Sequence, residues 1–326
     1  MKITVLGAGA WGTALARLLQ QGNEQVVLWG HDSEAVAEIR RRRRNERFLP
    51  GVELPQQLIL EPELERALAN AEWVVVAVPS KAFRQVTGRL ANFKGQIVSV
   101  TKGIEYDTGL TMCGILGEVA PNTRCAALSG PSFAIEVARE VPTAIVAASR
   151  DLATAAQVQA LFNRPNFRVY TSTDALGVEM GGALKNVIAV AAGIGDGLGL
   201  GDNAKAALVT RAIVEIRRLG VACGAQIDTF TGLSGLGDLM ATCFSKHSRN
   251  RAFGERVGKG EKPADIASSM LAIAEGYPTA RSAYRLAQNH KVVTPVINEV
   301  YAMLYDGKDV RQAVRDLMTR DLKSED

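Results

Sequence analysis

The sequence has 326 residues, 47% of them hydrophobic, and a single hydrophobic core seldom grows to this length, so we expect two domains. Its 38 basic and 34 acidic residues give a formal net charge of only +4, which argues against an overall positive field that would attract nucleic acid or an anionic membrane. The four cysteines are widely spaced without a Cys-x-x-Cys pair, which argues against a zinc site or a small disulfide framework and indicates reduced thiols in a cytoplasmic protein.

The first half alternates short runs rich in β-branched residues with segments of helical spacing. This pattern predicts a mostly parallel, doubly wound sheet. The first strand follows Met1 directly, with no cleavable signal pattern before it. Buried strands are predicted over residues 3–6, 26–29, 74–78, 97–100, 126–128, 144–147 and 167–170. Helices are predicted over residues 13–20, 34–44, 63–69, 83–90 and 152–162.

After about residue 173 the strand signals stop, and helices are predicted over residues 178–192, 204–223, 249–257, 279–289, 295–305 and 310–318. We therefore expect an N-terminal Rossmann-type domain over residues 1–173 and an all-helical substrate-binding and catalytic domain over residues 174–326. The longest apolar stretch, residues 187–195, falls well short of the roughly 20 residues that span a bilayer. We expect a soluble protein with no integral membrane segment.

The segment Gly7-Ala8-Gly9-Ala10-Trp11-Gly12 follows the first strand and opens a helix. In such a turn Gly7 permits the tight bend, Gly9 lets the backbone approach a pyrophosphate, and Gly12 lets the helix pack on its strand. The helix N-terminus then offers free N–H groups to the phosphates. An accidental glycine turn is the alternative, but the place of this segment inside a β-α-β pattern predicts a dinucleotide site.

The second strand ends in Trp29-Gly30-His31-Asp32-Ser33, without the acidic residue that usually holds the ribose 2′-hydroxyl of NAD. His31 and nearby arginines could accept a 2′-phosphate, whereas Asp32 is placed to cap the next helix with Ser33. This feature favours NADPH as the cofactor, with NADH also possible.

A run of five arginines, from Arg40 to Arg44, lies at the end of a predicted helix, where cations favour the helix dipole. No aromatic or further basic cluster accompanies it. A solvated helix face is therefore favoured over a nucleic-acid patch.

Glycines 181 and 182 lie inside a predicted helix, where each costs about 1 kcal/mol relative to alanine, so we expect close backbone approach there. Lys185 follows in this apolar segment, and burial would lower its pKa into the range useful for acid/base chemistry. A lysine that reaches solvent at a domain boundary is the alternative, and composition leaves both open. Lys102 follows a predicted strand, at the sheet edge where such folds bind ligands, although an ordinary loop lysine is equally possible.

Ser248-Arg249-Asn250 precedes a helix that we expect to begin at Arg251. The segment brings together a capping hydroxyl, a guanidinium, an amide and unpaired backbone N–H groups, which suits a phosphate. A plain helix start with Ser248 as an ordinary cap is the alternative.

Several segments together resemble the bacterial NAD(P)-dependent glycerol-3-phosphate dehydrogenase family. They occur in the family's order and cover nearly the whole chain: Gly7 to Gly12, Thr101-Lys102-Gly103, Ser129-Gly130-Pro131-Ser132-Phe133-Ala134, Gly182-Ala183-Leu184-Lys185-Asn186-Val187, Gly235-Leu236-Gly237-Asp238-Leu239 and Ser248-Arg249-Asn250-Arg251. The resemblance implies reversible reduction of dihydroxyacetone phosphate by NAD(P)H to sn-glycerol 3-phosphate, for phospholipid synthesis. It also implies a homodimer, the commonest kind of oligomer.

The resemblance implies roles for three residues near the reacting carbonyl. Lys185 looks like the catalytic acid/base, and Lys102 looks like the positive charge beside the developing oxyanion. Asp238 would orient Lys185 or a substrate hydroxyl, assisted by Thr242.

The resemblance also implies the ligand contacts. On the substrate side the family pattern points to Lys102, Gly130, Ser132, Lys185, Asp238, Ser248, Arg249 and Asn250. On the cofactor side it points to Gly7, Gly9, Ala10, Trp11, Gly12, His31, Lys102, Ala134, Arg249, Ile273 and Glu275. The family usually has a valine near the position of Ile273, and the surrounding segment allows a shift of one residue.

Two other classes of protein share parts of this pattern. Hydroxy-acid, ketopantoate and imine reductases have the same two-domain plan, but the segment Ser248-Arg249-Asn250 suits a phosphate monoester better than a carboxylate substrate. A non-catalytic dinucleotide sensor has no need for Lys102, Lys185 and Asp238 together. The pattern therefore favours a dehydrogenase for a small phosphorylated substrate.

Overall fold

The computed structural model describes residues 1–22, 25–322 and 324. Its first half forms an eight-stranded sheet in the order β3-β2-β1-β4-β5-β6-β7-β8. All neighbouring strands are parallel except β6 and β7, which are antiparallel. The strands are β1 Lys2–Leu6, β2 Gln25–Trp29, β3 Ile59–Glu61, β4 Trp73–Val76, β5 Gln96–Ser99, β6 Arg124–Ser129, β7 Thr143–Ala148 and β8 Phe167–Ser172.

Helices cover both faces of this sheet, so the prediction of a doubly wound α/β fold is confirmed. They are α1 Ala10–Gln20, α2 Ser33–Arg42, α3 Leu64–Leu68, α4 Ser80–Thr87, α5 Met112–Val119, α6 Ala134–Ala138 and α7 Leu152–Phe162. The central strand β4 is buried along its whole length, as strands covered on both faces are. The strand order reverses between β1 and β4, and the crevice at that point is where open α/β sheets bind ligands.

Three elements of this half escaped the sequence prediction. β3 has only three residues, too few for a visible period, and it exists because it pairs in register with β2. The indole N–H of Trp29 supports the segment by donating to the Pro62 carbonyl at 2.9 Å. The short helices α5 and α6 were also missed. The helix predicted over 83–90 begins earlier, at Ser80, and ends in a 3-10 turn, Gly88–Leu90.

Beyond Ser172 every element in the described part of the chain is helical, so the predicted all-α second half is confirmed. Its helices are α8 Ala175–Gly197, α9 Gly201–Ala222, α10 Asp238–Phe244, α11 Arg249–Gly258, α12 Pro263–Ser269, α13 Gly276–Asn289, α14 Pro295–Tyr305 and α15 Val310–Met318. A 3-10 turn, Ile227–Thr231, and a π-helical turn, Leu233–Gly237, precede α10. The sequence patterns did not predict α10 or α12.

Helix α8 is the axis of the helical half, and its closest neighbour is α11. Glycines four residues apart on both helices allow this approach. A Cβ on Gly193 would lie 2.0 Å from the Arg251 carbonyl oxygen, and one on Gly254 would lie 2.0 Å from that of Val190. Larger residues at either position would force the two helices apart.

Among the described helices, α8 alone is long and apolar enough to cross a membrane. Most of it is buried inside the protein, and its apolar side chains belong to the core of the helical half. A core helix therefore accounts for this composition.

Candidate active site

Each of the three glycines after β1 has a distinct steric environment. Gly7 has a φ of +116°, and a Cβ there would lie 2.7 Å from the Ala77 carbonyl oxygen. A Cβ on Gly12 would lie 1.9 Å from the Gly7 carbonyl oxygen, so the helix packs directly on the turn. In front of Gly9 the space is open to at least 4 Å. The turn is thus closed by protein at Gly7 and Gly12 and open at Gly9, as a backbone cradle for pyrophosphate must be.

The loops after β1, β4 and β5 meet at one edge of the sheet. Gly7 contacts Ala77, as described above, and a Cβ on Gly103 would lie 2.6 Å from the Cβ of Ser80. Because parallel strands end at the same edge, the glycine turn and the Lys102 loop become neighbours.

Trp11 and Ala134 come together beside the glycine turn. Trp11 lies in the first turn of α1 and Ala134 opens α6, and both pack against a small buried cluster that includes Leu49. Ala10, between Gly9 and Trp11, begins the helix itself.

His31 is exposed just beyond the end of β2. The next residue, Asp32, is the N-cap of α2, and its Oδ1 accepts a hydrogen bond from the Ala35 N–H at 3.0 Å. The predicted capping role of Asp32 is therefore confirmed, although Ser33 is the first helical residue rather than a second cap.

Lys185 lies in the middle of α8 and is only 7% exposed. Its Nζ donates to Asp238 Oδ1 at 2.7 Å and to Thr242 Oγ1 at 2.6 Å. The alternative of a lysine that reaches solvent is therefore wrong. Both partners come from α10, where Asp238 is the first residue and Thr242 lies one turn further along.

Asp238 also binds the second lysine. Lys102 donates from Nζ to Asp238 Oδ2 at 2.7 Å and to the Gly130 carbonyl oxygen at 3.0 Å. One buried carboxylate thus joins two ammonium groups from opposite halves of the chain. The predicted residues Lys102, Lys185, Asp238 and Gly130 form one cluster.

The charges in this cluster shift one another's pKa values. Burial and, to a smaller extent, the charge of Lys102 together lower the pKa of Lys185 to about 8, against the opposing attraction of Asp238. Burial alone would raise the pKa of Asp238. The two ammonium charges and their hydrogen bonds outweigh burial, so the Asp238 pKa falls below its ordinary value. At neutral pH the cluster holds an ionised carboxylate beside an ammonium that can lose its proton within reach of physiological pH.

Two glycines of α8 allow close approach beside this cluster, Gly182 by the end of β6 and Gly181 by the π-helical turn before α10. A Cβ on Gly182 would lie 2.5 Å from Ser129 Oγ, and one on Gly181 would lie 2.6 Å from the Ser234 carbonyl oxygen. The expected close backbone approach is confirmed. Gly130, next to Ser129, has a φ of +148°, which a side chain would disfavour.

Ser132 also faces the Gly130 carbonyl, and its Oγ donates to that oxygen at 3.0 Å. Because Lys102 donates to the same oxygen, Gly130 links the two predicted substrate contacts on the sheet side.

Helix α11 begins at Arg249, as the helical spacing over residues 249–257 predicted, and not at Arg251 as the capping pattern suggested, so Arg249 and Asn250 lie in its first turn. Ser248 is the N-cap, and its Oγ accepts from the Arg251 N–H at 3.2 Å. The Asn250 amide is held from both sides. Its Nδ2 donates to Asn186 Oδ1 at 2.8 Å, and its Oδ1 accepts from the Gly276 N–H at 2.8 Å.

Arg249 opens α11 with its side chain accessible to solvent, yet protein surrounds the guanidinium closely enough that burial lowers its pKa. The nearby charge of Glu275 acts in the opposite direction. Glu275 in turn accepts from Ser80 N–H at 3.0 Å and from Ser80 Oγ at 2.5 Å, which joins the helical half to the N-terminus of α4. Ile273 lies two residues before Glu275 in the segment between α12 and α13, partly buried.

Sequence reasoning gave no role to Glu179, a buried carboxylate on α8. It accepts from Thr111 Oγ1 at 2.7 Å and from the Cys113 N–H at 2.9 Å, and so fixes α8 to the start of α5. Burial raises its pKa. A charged residue inside an otherwise apolar helix was the available signal.

A dinucleotide turn at the strand-order reversal, with a buried lysine and aspartate cluster at the same sheet edge, defines a nicotinamide-dependent dehydrogenase of two-domain type. The chain belongs to the NAD-dependent glycerol-3-phosphate dehydrogenase family. The family's N-terminus model matches residues 2–155 and its C-terminus model matches residues 174–315.

Individual relatives agree with this membership. A glycerol-3-phosphate dehydrogenase [NAD(P)+] of Geobacter sulfurreducens is 52% identical, over 99% of this chain and 98% of the relative. One from Chlorobium limicola is 46% identical, over 100% of this chain and 99% of the relative. A crystal structure of glycerol-3-phosphate dehydrogenase from Coxiella burnetii superposes with a TM-score of 0.94 at 36% identity, covering 98% of this chain and 99% of that one.

Proposed function

We propose that this protein catalyses the reversible NAD(P)-dependent reduction of dihydroxyacetone phosphate to sn-glycerol 3-phosphate, which supplies glycerophospholipid synthesis. Beyond family membership, the observation that carries the proposal is the buried Lys185, bonded to Asp238 at 2.7 Å with its pKa lowered to about 8.

The open face at Gly9 fits a nicotinamide dinucleotide, since a Cβ at Gly9 would have no atom of the described residues within 4 Å beyond its own chain neighbours. Gly7, Ala10, Trp11 and Gly12 would shape this cradle, with Ala134, Ile273 and Glu275 on its borders. The nicotinamide, when bound, supplies a hydride to the substrate carbonyl carbon. NADPH is the proposed preferred cofactor because β2 is followed by Gly30 and His31, without a carboxylate at the strand end.

Lys185 is the proposed acid in the reduction, giving the proton of its Nζ to the oxygen that was the carbonyl oxygen. Asp238 and Thr242 hold that nitrogen from the α10 side, so its remaining bond can point at the substrate. In the reverse reaction the neutral amine takes the proton back. A pKa of about 8 lets Lys185 do both near physiological pH.

Lys102 contributes charge in the same proposal. Two ammonium groups and one carboxylate give the cluster a net positive charge of about one, in a place from which water is largely excluded. That charge favours the negative oxygen that develops during reduction. Gly130 and Ser132 would border the substrate on the sheet side, next to Lys102.

The substrate phosphate is proposed to bind at the N-terminus of α11. Arg249 offers its guanidinium fork there, and the first turn of the helix offers backbone N–H groups. Bonds within the protein fix the positions of the Ser248 hydroxyl and the Asn250 amide, and the Ser248 O–H and the second N–H of the Asn250 amide can still donate to the phosphate beside Arg249.

The same proposal includes the division into residues 1–173 for the dinucleotide and 174–326 for substrate and catalysis. It also includes a homodimer, since symmetric dimers are the commonest oligomers, and a cytoplasmic location.

The test is a spectrophotometric assay of NADPH and NADH oxidation with dihydroxyacetone phosphate and with unphosphorylated dihydroxyacetone. We expect activity with dihydroxyacetone phosphate to exceed activity with dihydroxyacetone by far. Arg249→Gln should raise the KM for dihydroxyacetone phosphate by about tenfold or more, because one charge-assisted hydrogen bond is lost. Arg256→Gln is the matched control, because Arg256 lies on the same helix and pairs with Glu261 at the surface. Equal rates with both substrates would contradict the proposal.

A further inference from the structure

Arg47 lies beside the residues that follow β2, although it comes fifteen positions later in the chain than Asp32. Its Nη1 is 3.8 Å from Asp32 Oδ2, next to the exposed His31. The guanidinium also lies 5.1 Å from the centre of the Phe48 ring. About half of the Arg47 side chain is exposed, so it can still take another partner.

The segment that carries Arg47 is tied to the glycine turn through Asn45. This side chain is 2% exposed, and its Nδ2 donates to the Ala8 carbonyl oxygen at 2.9 Å and to Thr13 Oγ1 at 2.8 Å. The Leu49 N–H donates to the Asn45 carbonyl oxygen at 2.8 Å, and the Leu49 side chain is buried among residues of α1 and α6. The position of Arg47 is therefore fixed relative to the dinucleotide turn.

The carboxyl end of β2 is where dinucleotide-binding sheets meet the adenosine ribose, and the charge there decides between a 2′-hydroxyl and a 2′-phosphate. Asp32 alone would repel a 2′-phosphate. Arg47 offsets that charge and presents a planar fork of donors, the geometry that matches a phosphate. We propose that Arg47, together with His31, binds the 2′-phosphate of the cofactor and determines the preference for NADPH over NADH.

This assignment rests on the proposed function, because it needs a nicotinamide dinucleotide in the cradle. On binding, Arg47 exchanges its partner Asp32 for the phosphate, while Asp32 keeps its capping bond to the Ala35 N–H. An exposed ion pair at this distance contributes little to the stability of the protein, so breaking the pair of Arg47 with Asp32 costs little free energy.

The test is direct binding of adenosine 2′,5′-bisphosphate and of 5′-ADP, measured by calorimetry on the full chain. Arg47→Gln should weaken binding of the 2′,5′-bisphosphate by about tenfold or more and change 5′-ADP binding by less than about twofold. The matched control is Arg41→Gln, since Arg41 is an exposed arginine near the far end of α2, and it should change neither. The melting temperature checks that each variant folds.

A second variant tests the other partner. Asp32→Asn retains a good N-cap but removes the negative charge, so it should strengthen binding of the 2′,5′-bisphosphate and leave 5′-ADP binding nearly unchanged. Equal losses for both ligands in Arg47→Gln, or an equal effect of Arg41→Gln, would overturn the assignment. If the unaltered protein binds neither NADPH nor NADH, the proposed function itself fails. If the unaltered protein binds these dinucleotides but Arg47→Gln leaves the ratio of its affinities for the 2′,5′-bisphosphate and 5′-ADP unchanged, only the role of Arg47 is refuted.

Discussion

Lys185 and Asp238 lie 53 positions apart in the chain, yet the ammonium nitrogen of one is 2.7 Å from a carboxylate oxygen of the other. The second oxygen of the same carboxylate accepts from Lys102, which lies in the loop after β5 in the sheet half. Asp238 therefore fixes the distance between a cation of the sheet half and a cation of α8. The arrangement makes the carboxylate a positioning residue as well as a source of charge.

Replacing Lys185 by Met should abolish turnover without removing the dinucleotide site. We expect the reduction rate to fall by about a thousandfold, within the range for loss of a general acid, while NADPH binding measured by fluorescence titration changes by less than about twofold. Methionine fills much of the space of the lysine stem, which limits the cavity. Lys259→Met, at an exposed ion pair on α11, is the control and should retain activity. Substantial turnover by the Lys185 variant would remove this residue from the mechanism.

The pH dependence of the two reaction directions should be opposite. Because the pKa of Lys185 is about 8, kcat/KM for reduction should fall as pH rises past that value, since the acid loses its proton. For oxidation kcat/KM should rise over the same interval. Asp238→Asn removes an attraction that holds the proton on Lys185, so both inflections should move to lower pH. Unmoved inflections in this variant would show that another group titrates.

Local sequence patterns predicted the secondary-structure elements that are long or that carry a recognisable motif. The glycine turn was predictable because Gly7 and Gly12 meet steric demands of a strand followed by a helix, while Gly9 leaves space beside the turn. Helix α14 and helix α15 were predicted with correct ends, since proline and the apolar period mark them. In contrast, β3 is defined by its neighbour β2 rather than by its own three residues.

The sequence predicted which residues form the site, but it did not predict most of the hydrogen bonds among them. Composition left the burial of Lys185 open, and the family resemblance implied Asp238 and Thr242 beside it, but the local patterns missed α10, the helix that carries both partners. The locked amide of Asn250 depends on Asn186 and on the backbone of Gly276, and Asn45 reaches the glycine turn from a loop. Such pairings between distant segments leave no local period in the sequence.

Two alanine substitutions in the glycine turn should have different consequences. Gly9→Ala adds a methyl group where the protein leaves space, so the melting temperature should stay close to that of the unaltered protein while dinucleotide affinity falls by about tenfold or more. Gly12→Ala places a Cβ 1.9 Å from the Gly7 carbonyl oxygen and should lower the melting temperature as well. Calorimetry for binding and thermal unfolding monitored by circular dichroism separate the two. A Gly9→Ala protein that binds NADPH normally would contradict the proposed cradle.

Far from the active site, the buried Glu215 on α9 holds the start of α14. Its carboxylate accepts the N–H of Val296 at 2.9 Å and that of Ile297 at 3.2 Å. Burial raises the pKa of Glu215 to about 7, against these bonds and the charges of Arg218 and Arg320, which lower it. The folded protein therefore keeps a proton on this group at pH values where the unfolded chain has lost it.

Stability should consequently fall as pH rises from about 4.5 to about 7, by at most about 3 kcal/mol from this group. Glu215→Gln keeps an oxygen that accepts from the α14 N–H groups but cannot ionise. Relative to the unaltered protein, the variant should gain free energy of unfolding between about pH 5 and about pH 8, measured by urea denaturation at each pH. Glu38→Gln, at an exposed pair on α2, should show no such gain. If the two proteins followed parallel curves with pH, Glu215 would not carry this pH dependence.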